Sequence, residues 1–121
     1  MAYSELNYVD NGGGDIQVGV EQPIGTFFDG TNTYIRYRKV IDCGAFPNAT
    51  SKDVPHGIAS LDPNKVLDIK GIAKKSTEAF SLPYIYTTNY STCYITPTNV
   101  RITTNSNMST YSGYVIVEYY R

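Results

Sequence analysis

A single histidine, His56, sits in Val54-Pro55-His56-Gly57-Ile58. Imidazole is the side chain best suited to move protons near neutral pH, so catalysis is sought there first. A Ser–His–Asp arrangement needs that histidine beside a positioned nucleophile, and no serine here occupies a Gly-x-Ser-x-Gly turn. The expected role is a turn histidine whose ring bonds nearby backbone before Ile58 enters the core. Carboxylates are scattered along the chain, and a glycosidase pair would need two of them to meet in a deep cleft. A small β-domain has little volume to build one, so no catalytic residue is expected. Cys43 and Cys93 lie fifty positions apart and, with one histidine, form no zinc pattern. Asp10 and Asp15 lack the spaced acids of a calcium loop, and Gly12-Gly13-Gly14 lacks the Lys-Ser/Thr of a phosphate loop. Neither a metal nor another cofactor is expected.

The remaining candidates are cations and aromatics. Arg36, Arg38 and Lys39 interleave with Tyr34 and Tyr37, an arrangement that could stack nucleic-acid bases. Against that reading, Lys and Arg total 10 and Asp and Glu total 11, for a net charge of -1. A free-standing nucleic-acid binder normally carries a basic excess. A solvated strand face, or a face meeting an identical subunit, fits better. Tyr111, Tyr114, Tyr119 and Tyr120 crowd the C-terminal segment. Tyrosine offers large contact area with a polar tip, which suits an interface as well as the half-exposed face of a sheet. Tyr34, Arg36, Arg38, Tyr111, Tyr114 and Tyr119 are therefore the candidate interface or ligand contacts.

Positioning such groups needs strands. The chain has 121 residues, including 12 Tyr and no Trp, which points to one domain of β-rich composition. Tyr34 to Cys43 alternates with a period of two, placing Ile35, Tyr37, Lys39, Ile41 and Cys43 on one face. Tyr34, Arg36, Arg38, Val40 and Asp42 share the other. Further strands are expected at Lys65 to Ala73, Cys93 to Thr96, Asn99 to Thr104 and Gly113 to Tyr120. "NKVLDIKGIAKKSTEAF" is the one stretch with any helical character, and its Val, Ile and Gly favour strand. Pro47, Pro55, Pro63, Pro83 and Pro97 punctuate these runs. Short strands at this spacing predict an antiparallel sandwich or barrel.

Residues 1–15 end in a triple glycine and an aspartate, which reads as a flexible joint ahead of a folded domain over 16–121. Tyr3, Leu6, Tyr8 and Val9 give that first segment enough apolar surface to anchor on a partner. It lacks the basic start and apolar core of a secretory leader. No apolar run is long enough to insert in a membrane. Without a leader, the triplets at Asn48, Asn89 and Asn107 read as chance glycosylation signals. Cys43 and Cys93 could pair if their strands are neighbours, but two separate reduced thiols are the favoured reading.

Several of these pieces occur together in one pattern. Thr26-Phe27-Phe28-Asp29-Gly30, followed by Tyr37-Arg38-Lys39-Val40, resembles the "TW-x-DG … IYRKV" opening of a domain in bacteriophage virion fibre proteins. His56-Gly57-Ile58 resembles its "HGI" turn, and Ser109 to Tyr119 is similar to its closing "SYSGYVTIEYTK" strand. The matches keep their order and bracket residues 24–121. Phe27 stands where the pattern has Trp, and Thr31 to Arg36 lengthen the segment before the Tyr-Arg-Lys triplet. The resemblance implies a jelly-roll-like β-sandwich that assembles as a homotrimer and is displayed on the virion after assembly in the host cytoplasm. It further implies a non-enzymatic role, as decoration or as a knob that attaches to host surface glycans. No long shaft is encoded, so a head fibre, decoration protein or small tail-tip protein is expected, joined to other virion proteins through residues 1–15.

Overall fold

A computed structural model of the protein describes residues 15–121, so the expected anchor residues Tyr3, Leu6, Tyr8 and Val9 lie outside the described residues. The strands are β1 (Gln22–Phe28), β2 (Thr33–Ala45), β3 (Ser51–Pro55), β4 (Val66–Lys75) and β5 (Glu78–Leu82). They continue as β6 (Tyr84–Tyr86), β7 (Asn89–Ile95), β8 (Asn99–Thr104) and β9 (Ser112–Tyr120). A short 3-10 turn, Pro63–Lys65, precedes β4 and is opened by the Asp62 carboxylate, which accepts from the Asn64 N–H. The "NKVLDIKGIAKKSTEAF" stretch forms the β4–β5 hairpin.

Two antiparallel sheets result. One has five strands in the order β1-β2-β9-β4-β5, the other four in the order β3-β8-β7-β6. Their inner faces share one core built from Ile41, Cys43, Ala73, Leu82, Val115 and Val117 on one side and Val100 and Ile102 on the other. Phe46, Ile58, Leu61 and Met108 close it from the connecting segments. Burial follows strict alternation in β8 and β9. In β9, Gly113, Val115, Val117 and Tyr119 point inward, while Tyr114, Ile116, Glu118 and Tyr120 point outward. β8 alternates in the same way, with Val100, Ile102 and Thr104 buried.

The alternation expected for β2 holds at Ile41 and Cys43 but not at Ile35, which is 47% exposed. Length explains the difference. β2 has 13 residues, whereas no strand of the opposite sheet exceeds 7, so the start of β2 runs beyond the facing layer. Four strands, β1, β3, β5 and β6, have no counterpart in the sequence-based expectation. β1 contains Pro23 and Gly25, which argue against a strand; it is tolerated as an edge strand with a bulge at those residues. β3 is a second edge strand, short and mostly polar.

One glycine sets the spacing of the larger sheet. A Cβ on Gly113 would sit 1.7 Å from the Ile72 carbonyl oxygen, so only glycine allows β9 and β4 to approach here. This is the glycine of the "YSGYV" segment.

Candidate functional site

The alternation of β2 and β9 builds an outward face on the five-stranded sheet. Arg36 lies opposite Tyr120, Arg38 opposite Glu118, Val40 opposite Ile116 and Asp42 opposite Tyr114. The Arg36 guanidinium donates to Glu118 Oε1 at 3.2 Å and to the Ile24 carbonyl at 3.4 Å. The β1 bulge makes room for it, because a Cβ on Gly25 would lie 3.1 Å from its terminal nitrogen. Arg38 is less well provided for: its buried Nε has no hydrogen-bond partner. Phe27, Tyr34 and Tyr120 form an aromatic cluster, with ring centroids 4.5 Å apart for Phe27–Tyr120 and 4.9 Å for Tyr34–Tyr120. Lys65 Nζ stands 5.5 Å from the Tyr34 ring. Tyr114 completes the face beneath Lys74 Nζ, at 4.5 Å.

Of the six contacts expected from sequence, Tyr34, Arg36, Arg38 and Tyr114 therefore share one face. Tyr111 follows the β8–β9 crossover and packs edge-on against Phe80 at 5.2 Å. Its hydroxyl donates to Glu78, which pushes the phenol's pKa up. Tyr119 belongs elsewhere. It is 0% exposed, stacks on Tyr37 at 5.8 Å, and its hydroxyl donates to Glu21. Burial first, then that bond, raises its pKa. Parity decides the matter: Tyr119 lies on the inward row of β9, while its neighbour Tyr120 lies on the outward row. Arg121 closes the end of the sandwich, bonding Glu21 Oε1 at 2.6 Å and lying 5.3 Å above the Tyr37 ring.

His56 behaves as the turn residue expected. It is buried, its Nδ1 accepts from the Ile58 N–H at 3.0 Å, and its Nε2 donates to the Thr96 carbonyl at 3.0 Å. That pattern requires the Nε2-protonated tautomer and leaves neither nitrogen free to serve as a general base. Gly57 follows with φ +66°, a conformation that favours glycine. The nearby cleft, about 340 Å³ and lined by Lys39, Asp42, His56 and Gly57, is shallow and open. Among the described residues no cluster of three His, Cys, Asp or Glu side chains is placed to hold a metal. Cys43 and Cys93 are free thiols on strands of opposite sheets. Burial, then the neighbouring Cys93, pushes the Cys43 thiol up to about 11, which makes it a poor nucleophile at neutral pH.

Sequence reasoning missed the outward face of the four-stranded sheet. Tyr90, Thr92 and Tyr94 point outward from β7, opposed by Thr103 and Arg101 of β8 and Ile85 of β6. Arg101 holds Asp53 through Nε at 2.7 Å and a terminal nitrogen at 2.9 Å, and its remaining nitrogen meets the Tyr94 hydroxyl at 3.3 Å. Hydrogen bonding to Arg101 holds the Asp53 carboxyl below the usual range. The signal was present as Tyr90-x-Thr92-x-Tyr94. It was obscured because the inward positions are Ser91 and Cys93 rather than large aliphatics.

Comparison with known proteins adds no relative: no family model, no curated protein and no solved structure matches the chain.

Proposed function

We propose that this chain is a non-enzymatic structural protein of a bacteriophage virion, a head fibre, decoration or small tail-tip protein displayed on the particle surface. What supports the reading is the ordered set of motifs that resembles phage fibre domains, together with where those motifs fall. Asp29-Gly30 makes the β1–β2 turn, with Asp29 Oδ1 accepting from the Thr31 and Asn32 N–H groups, both at 2.8 Å. His56-Gly57-Ile58 ties the segment after β3 to the β7–β8 loop, and Gly113 permits the β9–β4 approach. These three motifs have roles in the fold, which supports reading the chain as a structural module.

In this reading the protein works as a homotrimer. The outward face of the five-stranded sheet is the candidate subunit contact, because Arg38 Nε is already desolvated there without a partner. Residues 1–15 attach the body to other virion proteins. Light scattering on the purified chain tests the assembly, and a stable monomer at micromolar concentration would sink it. Particles assembled with a chain lacking residues 1–15 test the anchor: the shortened protein should still oligomerise but be missing from purified virions.

A second reading is a knob that binds a host receptor or carbohydrate. It is favoured by the tyrosines exposed on the sheet faces, among them Tyr90 and Tyr94. Binding to host cells separates this reading from pure decoration.

A further inference from the structure

We propose that the outward face of the four-stranded sheet is a binding platform for neutral oligosaccharides, with Tyr90 and Tyr94 as stacking surfaces and the Arg101–Asp53 pair as the polar contact. The proposal rests on the carbohydrate-binding reading above and adds to it one defined face, its polar contact and the class of sugar it takes.

Tyr90 and Tyr94 are 41% and 47% exposed on the same strand face. Four residues of strand separate them by roughly 13 Å, enough for a sugar chain lying along β7 to meet both rings. The apolar C–H face of a pyranose lies flat on an aromatic ring, and both surfaces leave water when they meet. Ile85 is 72% exposed directly opposite Tyr90, and it extends the apolar floor toward the sheet edge.

The Tyr90 backbone and the Tyr94 ring are held in advance. Asn105 Oδ1 accepts from the Tyr90 N–H at 2.7 Å, and the Asn105 N–H donates back to the Tyr90 carbonyl at 3.2 Å. This extends the β7–β8 ladder past its last strand pair. At the other end, Arg101 draws the Tyr94 hydroxyl across toward β8, so the ring leans over the sheet. Side chains ordered before binding lose less entropy when the ligand arrives.

Charge selects the occupant. Asp53 and Arg101 are the charged groups on this outward face among the described residues, and they neutralise each other through two hydrogen bonds. Lys52 points the other way and donates to the Cys43 and Ala45 carbonyls, both at 2.8 Å. No net charge is left to attract phosphate, sulfate or sialic acid. What remains are aromatic faces and the hydroxyls of Ser51, Thr92 and Thr103, with Ser51 and Thr103 already 2.9 Å apart. Such a surface complements a neutral, hydroxyl-rich ligand.

The test is an array of cello-, malto- and chito-oligosaccharides beside sialylated and sulfated glycans, probed with the full chain, followed by titration of whichever neutral sugars bind. Tyr90→Ala and Tyr94→Ala should each weaken binding about tenfold. Phe28→Ala, at an exposed position of β1 on the other sheet, should leave it unchanged, and Tyr34→Ala and Tyr114→Ala are measured beside it. On adding sugar, the ring resonances of Tyr90 and Tyr94 should shift, a measurement that needs no variant. If neutral sugars bind but only the Tyr34 or Tyr114 change abolishes it, carbohydrate binding stands and this placement is overturned. Binding of charged glycans alone, or of none, overturns the proposal while leaving virion decoration to its own tests. Concentration-dependent self-association lost in Tyr94→Ala would show the face to be a contact between copies, and would overturn it equally.

Discussion

His56 shows how a residue that invites a catalytic reading is settled by its two ring contacts. Both nitrogens are committed to backbone, one accepting from Ile58 and one donating to Thr96. His56→Ala should therefore destabilise the fold by about 1–3 kcal/mol, the cost of leaving buried polar groups unpaired. Urea unfolding measures this, and an unchanged midpoint would refute the role. Asp53 gives a prediction in pH. Its folded pKa is depressed by Arg101, so its contribution to stability is fully present above the unfolded value, about 4. That contribution is lost as pH falls through the lower folded value. Thermal midpoints of wild type and Asp53→Asn should therefore differ at neutral pH and converge in strong acid. Parallel curves across that range would contradict it.

Among the elements, β9 holds the larger sheet together. It is the central strand, flanked by β2 and β4, and its inward row supplies Val115, Val117 and Tyr119 to the core. Gly113 lies opposite Ala73 at the second pair of the β9–β4 ladder, with no room for a methyl group beside the Ile72 carbonyl. Gly113→Ala should cost about 3 kcal/mol or more, because the obstacle is backbone and cannot turn aside. Chemical unfolding that shows a loss under 1 kcal/mol, taken as a rough floor for a buried steric clash, would mean the strands separate easily. Period two made β8 and β9 legible in the sequence almost to the residue. It was silent on β1 and β3, because edge strands tolerate the proline, glycine and polar residues that elsewhere mark loops.

For the whole molecule, the two outward faces differ in character. The face with Arg36, Arg38 and Tyr34 carries a buried, unpartnered guanidinium nitrogen, and in the proposed trimer it meets a sister chain. Arg38→Glu would place a carboxylate directly opposite Glu118. If the trimer forms through this face, that change should shift the particle toward monomer in light scattering. A trimer that survives it must form through another surface. The opposite face, with Tyr90 and Tyr94, stays open to solvent in that arrangement.

The sequence by itself determined the all-β class, the positions of β8 and β9 and the His56–Ile58 turn, because each is governed by neighbours within a few positions. The His56 bond to Thr96, in contrast, was set by tertiary packing. Alternation along a strand is a local property, and so is a histidine bonding the backbone two residues on. Tertiary structure alone decided which tyrosines are accessible. Tyr119 and Tyr120 are adjacent in the chain, yet one stacks on Tyr37 in the core and the other joins the outward cluster with Phe27 and Tyr34. It also decided that Asp53, Arg101 and Tyr94 would meet, from three strands spread over more than forty residues. Such contacts depend on strand order and register, which are set by packing across the core and leave no trace in the spacing of residues along the chain.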